Sequence, residues 1–251
     1  MNAPLWRRLF AEFLGTGLLV AVVVGSGIAA QTLSRDVGLE LLENAVVTAA
    51  GLAVLILLFG PISGAHFNPV VSLVDWLVGR GLGKGLTVRE VVTYVPAQIG
   101  GAIGGSILAD AMFAKPLVRW STHHRSEPHL WLGEVVATAG LLLVIVALAR
   151  SGRASQTPCA VGAYIGAAYW FTSSTSFANP AVTMGRAFTD TFAGIAPQSV
   201  PGFVVAQFVG GGIALGLIAA LYPDTAKVAD RLVIPHGSAA PGDPILAKER
   251  A

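Results

Sequence analysis

Phe67-Asn68-Pro69-Val70-Val71-Ser72 and Ala178-Asn179-Pro180-Ala181-Val182-Thr183 are the stretches on which the reading of this chain turns. Proline at a first helical position loses no hydrogen bond and has its φ preset, and asparagine just before it is a favoured N-cap. Each Asn-Pro therefore predicts a helix start. The apolar pieces that follow, about 68–78 and 179–189, are too short to cross a bilayer and reach only about halfway. The two boxes lie 111 positions apart, and further pairs surround them. Ala11-Glu12-Phe13-Leu14-Gly15-Thr16 matches Gly133-Glu134-Val135-Val136-Ala137-Thr138, and Ala97-Gln98-Ile99-Gly100-Gly101 matches Ala206-Gln207-Phe208-Val209-Gly210. The similar offsets indicate a duplicated unit with loops of variable length.

Composition supplies the setting. Of 251 residues 54% are apolar and 12% charged, where a soluble domain has about 25% charged. Too little polar surface exists to coat a soluble globule, so the expected solvent is the lipid bilayer. At about 20 residues per crossing the chain has material for up to about ten spans. Its interruptions reduce these to six, near 9–30, 41–60, 91–113, 131–149, 158–173 and 199–222. Arg7-Arg8 ahead of an apolar run ending at Ala29-Ala30 has the look of a secretory signal, but the run is too long and Glu12 interrupts its start, so a retained first helix is expected. One cysteine, Cys159, excludes an intrachain disulfide framework. A net charge of +2 gives no argument for nucleic acid.

Three full spans per unit, an odd number, require the second copy to enter the membrane from the opposite face. That is an inverted repeat about an axis in the membrane plane. Six spans put both termini on one side. The termini with loops 79–90 and 150–157 hold most of the cations, while the opposite loops hold Arg35, Lys115, Arg119, Arg125 and Arg186. The positive-inside rule then places both termini in the cytoplasm. The expected organisation is one channel domain over 1–222, with repeats at about 5–113 and 131–222, followed by a polar cytoplasmic tail, 223–251.

In such a repeat the two Asn-Pro helix starts meet at the membrane centre, each presenting about half a positive charge from unpaired N–H groups. The irregular backbone before them, 60–67 and 172–178, cannot face lipid and must line a path or lie in protein. Carbonyls leading to two asparagine amides would pass a neutral, hydrogen-bonding solute and disfavour cations and protons. Glu12 and Glu134 fall within spans, where an ionisable group is costly. Their matched positions suggest support for the re-entrant backbone; a proton relay is the rival reading. His66, two residues before Asn68, is expected to touch the cytoplasmic half of the path, either fixed by hydrogen bonds or as a protonation gate.

Together these motifs resemble the aquaporin or major intrinsic protein family over roughly residues 5–222. The residues that carry the resemblance are Ala11 to Thr16, Ser63-Gly64-Ala65-His66-Phe67-Asn68-Pro69-Val70, Ala97 to Gly101 and Phe177-Ala178-Asn179-Pro180-Ala181-Val182. The resemblance implies an all-α membrane protein with six transmembrane helices and two re-entrant half-helices. It also implies a homotetramer in the inner (plasma) membrane, passive conduction of water or small uncharged solutes, and a pore centre at Asn68, Pro69, Val70, Asn179, Pro180 and Ala181.

This sequence departs from the family at two places. Val70 stands where alanine is usual, which calls for local repacking. Val182 stands three residues after Asn179, where the family usually has a filter arginine. By spacing, the other filter positions are Thr48, Ser176 and Tyr169, with Ala167 competing for the last. A filter lacking both the arginine and an aromatic at Thr48 should be wider and more apolar than that of a strict water channel. Bacterial members lacking this arginine resemble metalloid channels, which points to arsenous acid, with glycerol and plain water as alternatives. Arg186 shares a helical face with Asn179 and Val182 and has two readings. It lines the outer mouth, or it neutralises the helix C-terminus and pairs with Asp190 at i+4.

The remaining features point to nothing catalytic. His123, His124 and His129 lack the spacing of a defined metal site, and no metal or other cofactor is expected. No nucleophile–base pair or nucleotide-binding loop occurs in a supporting context. Glycines at 100, 101, 104 and 105, matched by 210, 211, 212 and 216, predict close helix crossings. A secondary transporter shares the inverted-repeat plan, but neutral asparagines at the centre favour a channel.

Overall fold

The computed structural model describes residues 3–82 and 84–222, so the expectation of a polar tail over 223–251 lies outside the described residues. Eight α-helices follow in order: α1 (Leu5–Leu33), α2 (Val37–Ser63), α3 (Pro69–Gly79), α4 (Val88–Met112), α5 (Pro128–Arg150), α6 (Thr157–Phe171), α7 (Pro180–Gly185) and α8 (Val200–Leu221). The first four and the last four repeat one pattern: two long helices, a short helix begun by Asn-Pro, and a third long one. Five of the helices, α1, α2, α4, α5 and α8 with the 3₁₀ turn before it, are long and apolar enough to cross a membrane. The sixth, α6, has 15 residues, about 22 Å of rise.

Helix ends are set by local chemistry. The Asp36 carboxylate caps α2 by accepting from the Leu39 N–H at 2.9 Å. Thr87 and Glu90 form a reciprocal capping box at the start of α4. At Gly64 the chain leaves α2 with φ +88°, a left-handed value that glycine adopts without a Cβ clash.

The helices cross at glycines where no side chain fits. A Cβ on Gly101 would stand 2.1 Å from the Phe13 carbonyl oxygen, and one on Gly105 at 2.1 Å from that of Gly17, so α4 lies backbone against backbone on α1. The second repeat has the matching contact, where a Cβ on Gly210 would stand 2.6 Å from the Val135 carbonyl oxygen. These are the close crossings expected of small-residue faces in membranes. Gly212 and Gly216, expected in the same role, have no described atom within 4 Å of a built Cβ. Val70 is accommodated by Gly211, since a Cβ there would come within 2.8 Å of the Val70 Cγ1.

Polarity is inverted relative to a soluble protein. Glu12, Asn44, Gln98, Glu134 and Gln207 are buried, whereas Leu18, Val54, Leu58, Val92, Leu132 and Val205 are exposed. An exposed apolar belt around a polar interior is the arrangement lipid requires.

The second half-helix is shorter than the expected 179–189. α7 stops at Gly185 and continues as a 3₁₀ turn over Arg186–Phe188. Gly185 presses on α4, where a Cβ would lie 2.7 Å from the Ala102 carbonyl. The Arg186 side chain then turns to donate from Nε to the Ala193 carbonyl.

Candidate functional site: a channel between two re-entrant segments

The segments leading to α3 and α7 adopt the same unusual backbone residue by residue. Four positions before each asparagine φ is +88° at Gly64 and +60° at Thr175; three before it is +50° at Ala65 and at Ser176; one before it is +51° at Phe67 and +50° at Ala178. Left-handed conformations cost non-glycine residues about 1–3 kcal/mol each, so something must hold them. The buried glutamates do. Glu12 accepts from the His66 N–H at 3.0 Å, the Phe67 N–H at 2.7 Å, the Ser63 hydroxyl at 2.6 Å and the Gln98 amide at 2.8 Å. Glu134 accepts from the Phe177 and Ala178 N–H groups, each at 2.8 Å, and from the Gln207 amide at 2.6 Å. The glutamines also donate to the hydroxyls of Ser72 (3.0 Å) and Thr183 (2.8 Å), four residues after each asparagine. Both oxygens of each carboxylate face fixed donors, so their geometry is that of struts.

The consequence for the path follows from peptide planarity. In a trans peptide the N–H and C=O point in opposite directions. With the amides of residues 66, 67, 177 and 178 aimed at the glutamates, the carbonyls of Ala65, His66, Ser176 and Phe177 aim the other way. These four residues line one cavity with Phe67, Ala178 and both asparagines. Its opposite wall is mainly apolar, with Leu19, Val23, Leu52, Ile56, Leu141, Ile145, Val161 and Ile165. A hydrogen-bonding stripe thus faces a wall whose polar groups are confined to Thr48 and Tyr169 among these helices' lining residues.

At the middle the two halves are crosslinked. The Asn68 Nδ2 donates to the Ala178 carbonyl and the Asn179 Nδ2 to the Phe67 carbonyl, each at 2.8 Å. The side-chain oxygens cap their own helices, Asn68 Oδ1 accepting from the Val70 N–H and Asn179 Oδ1 from the Ala181 and Val182 N–H groups. An amide nitrogen has two hydrogens, so one on each asparagine remains for a passing solute. Pro69, Pro180, Val70 and Ala181 are buried behind the junction.

The positions assigned by spacing as a filter come together. Thr48, Tyr169, Ser176 and Val182 are buried and line the same cavity, and the Tyr169 hydroxyl donates to the Thr48 Oγ1 at 3.3 Å. Ala167, the competing residue, is exposed on the outside of α6. His66 lies on the cavity wall, its Nδ1 3.2 Å from the Ser72 hydroxyl and its ring edge-on to Tyr94.

Arg186 corrects one expectation. Asp190 takes the Thr122 N–H (2.8 Å) and hydroxyl (2.9 Å) and pairs with Arg119 at 3.2 Å, not with Arg186. Because the α-helix ends at Gly185, the i+4 geometry that would bring residues 186 and 190 together is lost. Arg186 is instead buried against the cavity, its guanidinium carbon 3.4 Å from the centroid of the Phe177 ring. Spacing gave no sign of Arg125, which reaches the same ring from the loop between α4 and α5, 5.2 Å from its centroid, and donates to the Gly194 carbonyl. Burial pulls the Arg125 guanidinium below the usual arginine range, with the Glu134 charge opposing the shift.

An inverted pair of four-helix units around a transmembrane cavity defines a multi-pass membrane protein built as a solute channel, not an enzyme. The comparisons with known proteins are consistent with this. The major intrinsic protein model matches residues 1–176. The aquaglyceroporin AqpS of Rhizobium meliloti is 53% identical over 214 residues, covering 85% of this chain and 89% of AqpS. The glycerol uptake facilitator protein of Pseudomonas aeruginosa is 31% identical, covering 81% of this chain and 83% of its own length. In fold, the X-ray structure of the aquaglyceroporin from Plasmodium falciparum superposes with a TM-score of 0.65 at 20% identity, covering 89% of this chain and 99% of that one. The chain belongs to the major intrinsic protein family.

Proposed function

We propose that this protein is a passive, aquaglyceroporin-type facilitator of small uncharged solutes that carry several hydroxyl groups, with glycerol and arsenous acid as the test solutes. The observation behind this reading is the cavity itself: four inward carbonyls and two asparagine amides on one side, a mainly apolar wall on the other, and Val182 among its lining residues. A polyhydroxylated solute can bond to the stripe while its other face lies on the aliphatic wall. Water also passes, whereas a cation would lose its hydration against that wall with no compensating negative charge. The names of the relatives, aquaglyceroporin and glycerol uptake facilitator, support this choice of solutes.

On this reading residues 1–222 act as one channel domain and four copies assemble, each with its own pore, in the plasma (inner) membrane with both termini cytoplasmic. Thr48, Tyr169, Ser176 and Val182 form the filter, Asn68 and Asn179 the centre, and Glu12, Glu134 and His66 the supports of the loops. Stopped-flow light scattering on proteoliposomes, with inward gradients of glycerol and arsenous acid, tests it. Non-saturating flux independent of ion gradients is expected. Flux that saturates and needs an ion gradient, or water passage with both solutes excluded, would overturn the proposal.

A further inference from the structure

Beyond neutral-solute conduction, the outer end of the channel holds an unusual pair of cations. Arg186 is 3% exposed, and its one hydrogen bond, from Nε to Ala193, leaves both terminal nitrogens without an acceptor among the described residues. Arg125 donates from Nε to Gly194 and, at 3.5 Å, from one terminal nitrogen to the Ser174 carbonyl. Neither makes an ion pair among the described residues, although both guanidinium groups lie over the Phe177 ring. Two like charges gathered at one ring repel each other, and desolvation strengthens the repulsion. The Phe177 face offsets part of this by cation–π attraction.

Both arginines also line a second, solvent-open cavity, which shares Arg186 with the first. Its walls include Thr175, His123, Gln31 and Asn44, and Glu40 is its one carboxylate among the described residues. Glu40 pairs with neither guanidinium. The unused donors therefore face a space lined by both polar and apolar side chains, and a planar guanidinium fork matches an oxyanion bidentately. The strut Glu134 acts on the pair only through its field, because its oxygens are bonded to Phe177, Ala178 and Gln207 and reach neither guanidinium.

We propose that Arg125 and Arg186 form a binding site for a small, singly charged oxyanion, such as a carboxylate, in the outer vestibule of the channel. An oxyanion between the two guanidinium groups satisfies the free donors and relieves the repulsion. It occupies the step just outside Val182, where the usual filter cation is missing. The site lies beside the path that neutral solutes take to Val182, since Arg186 lines both cavities, and its occupancy does not require that the oxyanion crosses the membrane.

Formate serves as the probe, with chloride at equal ionic strength as a monatomic anion that cannot meet a guanidinium fork with two oxygens. The thermal unfolding midpoint of the full-length protein in detergent is followed by tryptophan fluorescence as formate is added. A saturable rise over the chloride reference is expected. Arg125→Gln, a change on the outer loop, should weaken the apparent affinity by about tenfold or more, the worth of one charge-assisted bidentate contact. Arg186→Lys, which keeps the charge and loses the fork, should weaken it by less. A midpoint that rises without saturation, or one that saturates identically in Arg125→Gln and wild type, overturns the site. Glycerol flux through the same preparations is read separately, so failure of the anion site and failure of the channel reading give different results.

Discussion

Val182 and Arg186 sit one helical turn apart, and the difference between them is a difference in what the passage offers an entering solute. At Val182 the wall gives an isopropyl group, which neither donates a hydrogen bond nor fills the space of a long cationic side chain. Val182→Arg should therefore cut glycerol and arsenous acid permeability by about tenfold or more, a barrier increase near 1.4 kcal/mol, while water permeability falls less. Equal losses of both, measured by stopped-flow light scattering, would remove Val182 from the constriction. Much at this scale was legible in the sequence. The glutamates, asparagines and glutamines declared themselves because each occurs twice at matched spacing. The Arg125–Phe177–Arg186 cluster did not, since Arg125 comes from a loop 52 residues before Phe177 and has no counterpart in the first repeat. The inward course of Arg186 depended on where α7 stops, which helical periodicity does not encode.

The elements that make the path are the least regular ones, and they stand only because longer helices hold them. The strained segments before α3 and α7 hang from carboxylates on α1 and α5. Glu134→Gln replaces one acceptor oxygen with an NH₂ facing backbone N–H donors. It should lower stability by about 2–4 kcal/mol, from one lost charge-assisted bond and a buried donor left unsatisfied, and Glu12→Gln should do the same in the first repeat. Unfolding midpoints in detergent check both; a shift in neither would mean the segments are held by other contacts. The outer loop is tied down differently. Its Thr122 bonds to Asp190, and the hydrogen bond from the Thr122 N–H, with the Arg119 charge adding to it, holds that carboxyl below the usual aspartate range. A depressed folded-state value stabilises the tether above the unfolded value of about 3.9 and releases it as pH falls through the folded one. Hydrogen exchange at the Thr122 amide, corrected for intrinsic rate, should show protection lost in acid. Asp190→Asn should weaken that protection and flatten its pH dependence; an unchanged profile would place the tether elsewhere.

Across the whole molecule the inverted repeat was legible from three pairs of short matches, because membrane thickness and the demand for satisfied backbone groups leave few ways to arrange six spans and two half-spans. What the chain did not disclose was which glycines bear on the crossings. Gly101, Gly105 and Gly210 are in contact and Gly212 and Gly216 are not, a distinction set by helix rotation. Gly105→Leu should therefore force α4 from α1 and abolish folded protein, whereas Gly216→Leu should leave the fold unchanged; size-exclusion profiles of the two variants separate these outcomes. The crossed bonds between Asn68 and Ala178 and between Asn179 and Phe67 have a consequence for synthesis at the ribosome. When α4 has emerged, the first repeat has its strut and its half-helix, yet the Asn68 amide still lacks its acceptor, which lies in sequence not yet translated. Completion of the crossed bonds therefore falls late in biogenesis, after the second re-entrant segment has folded back to the first.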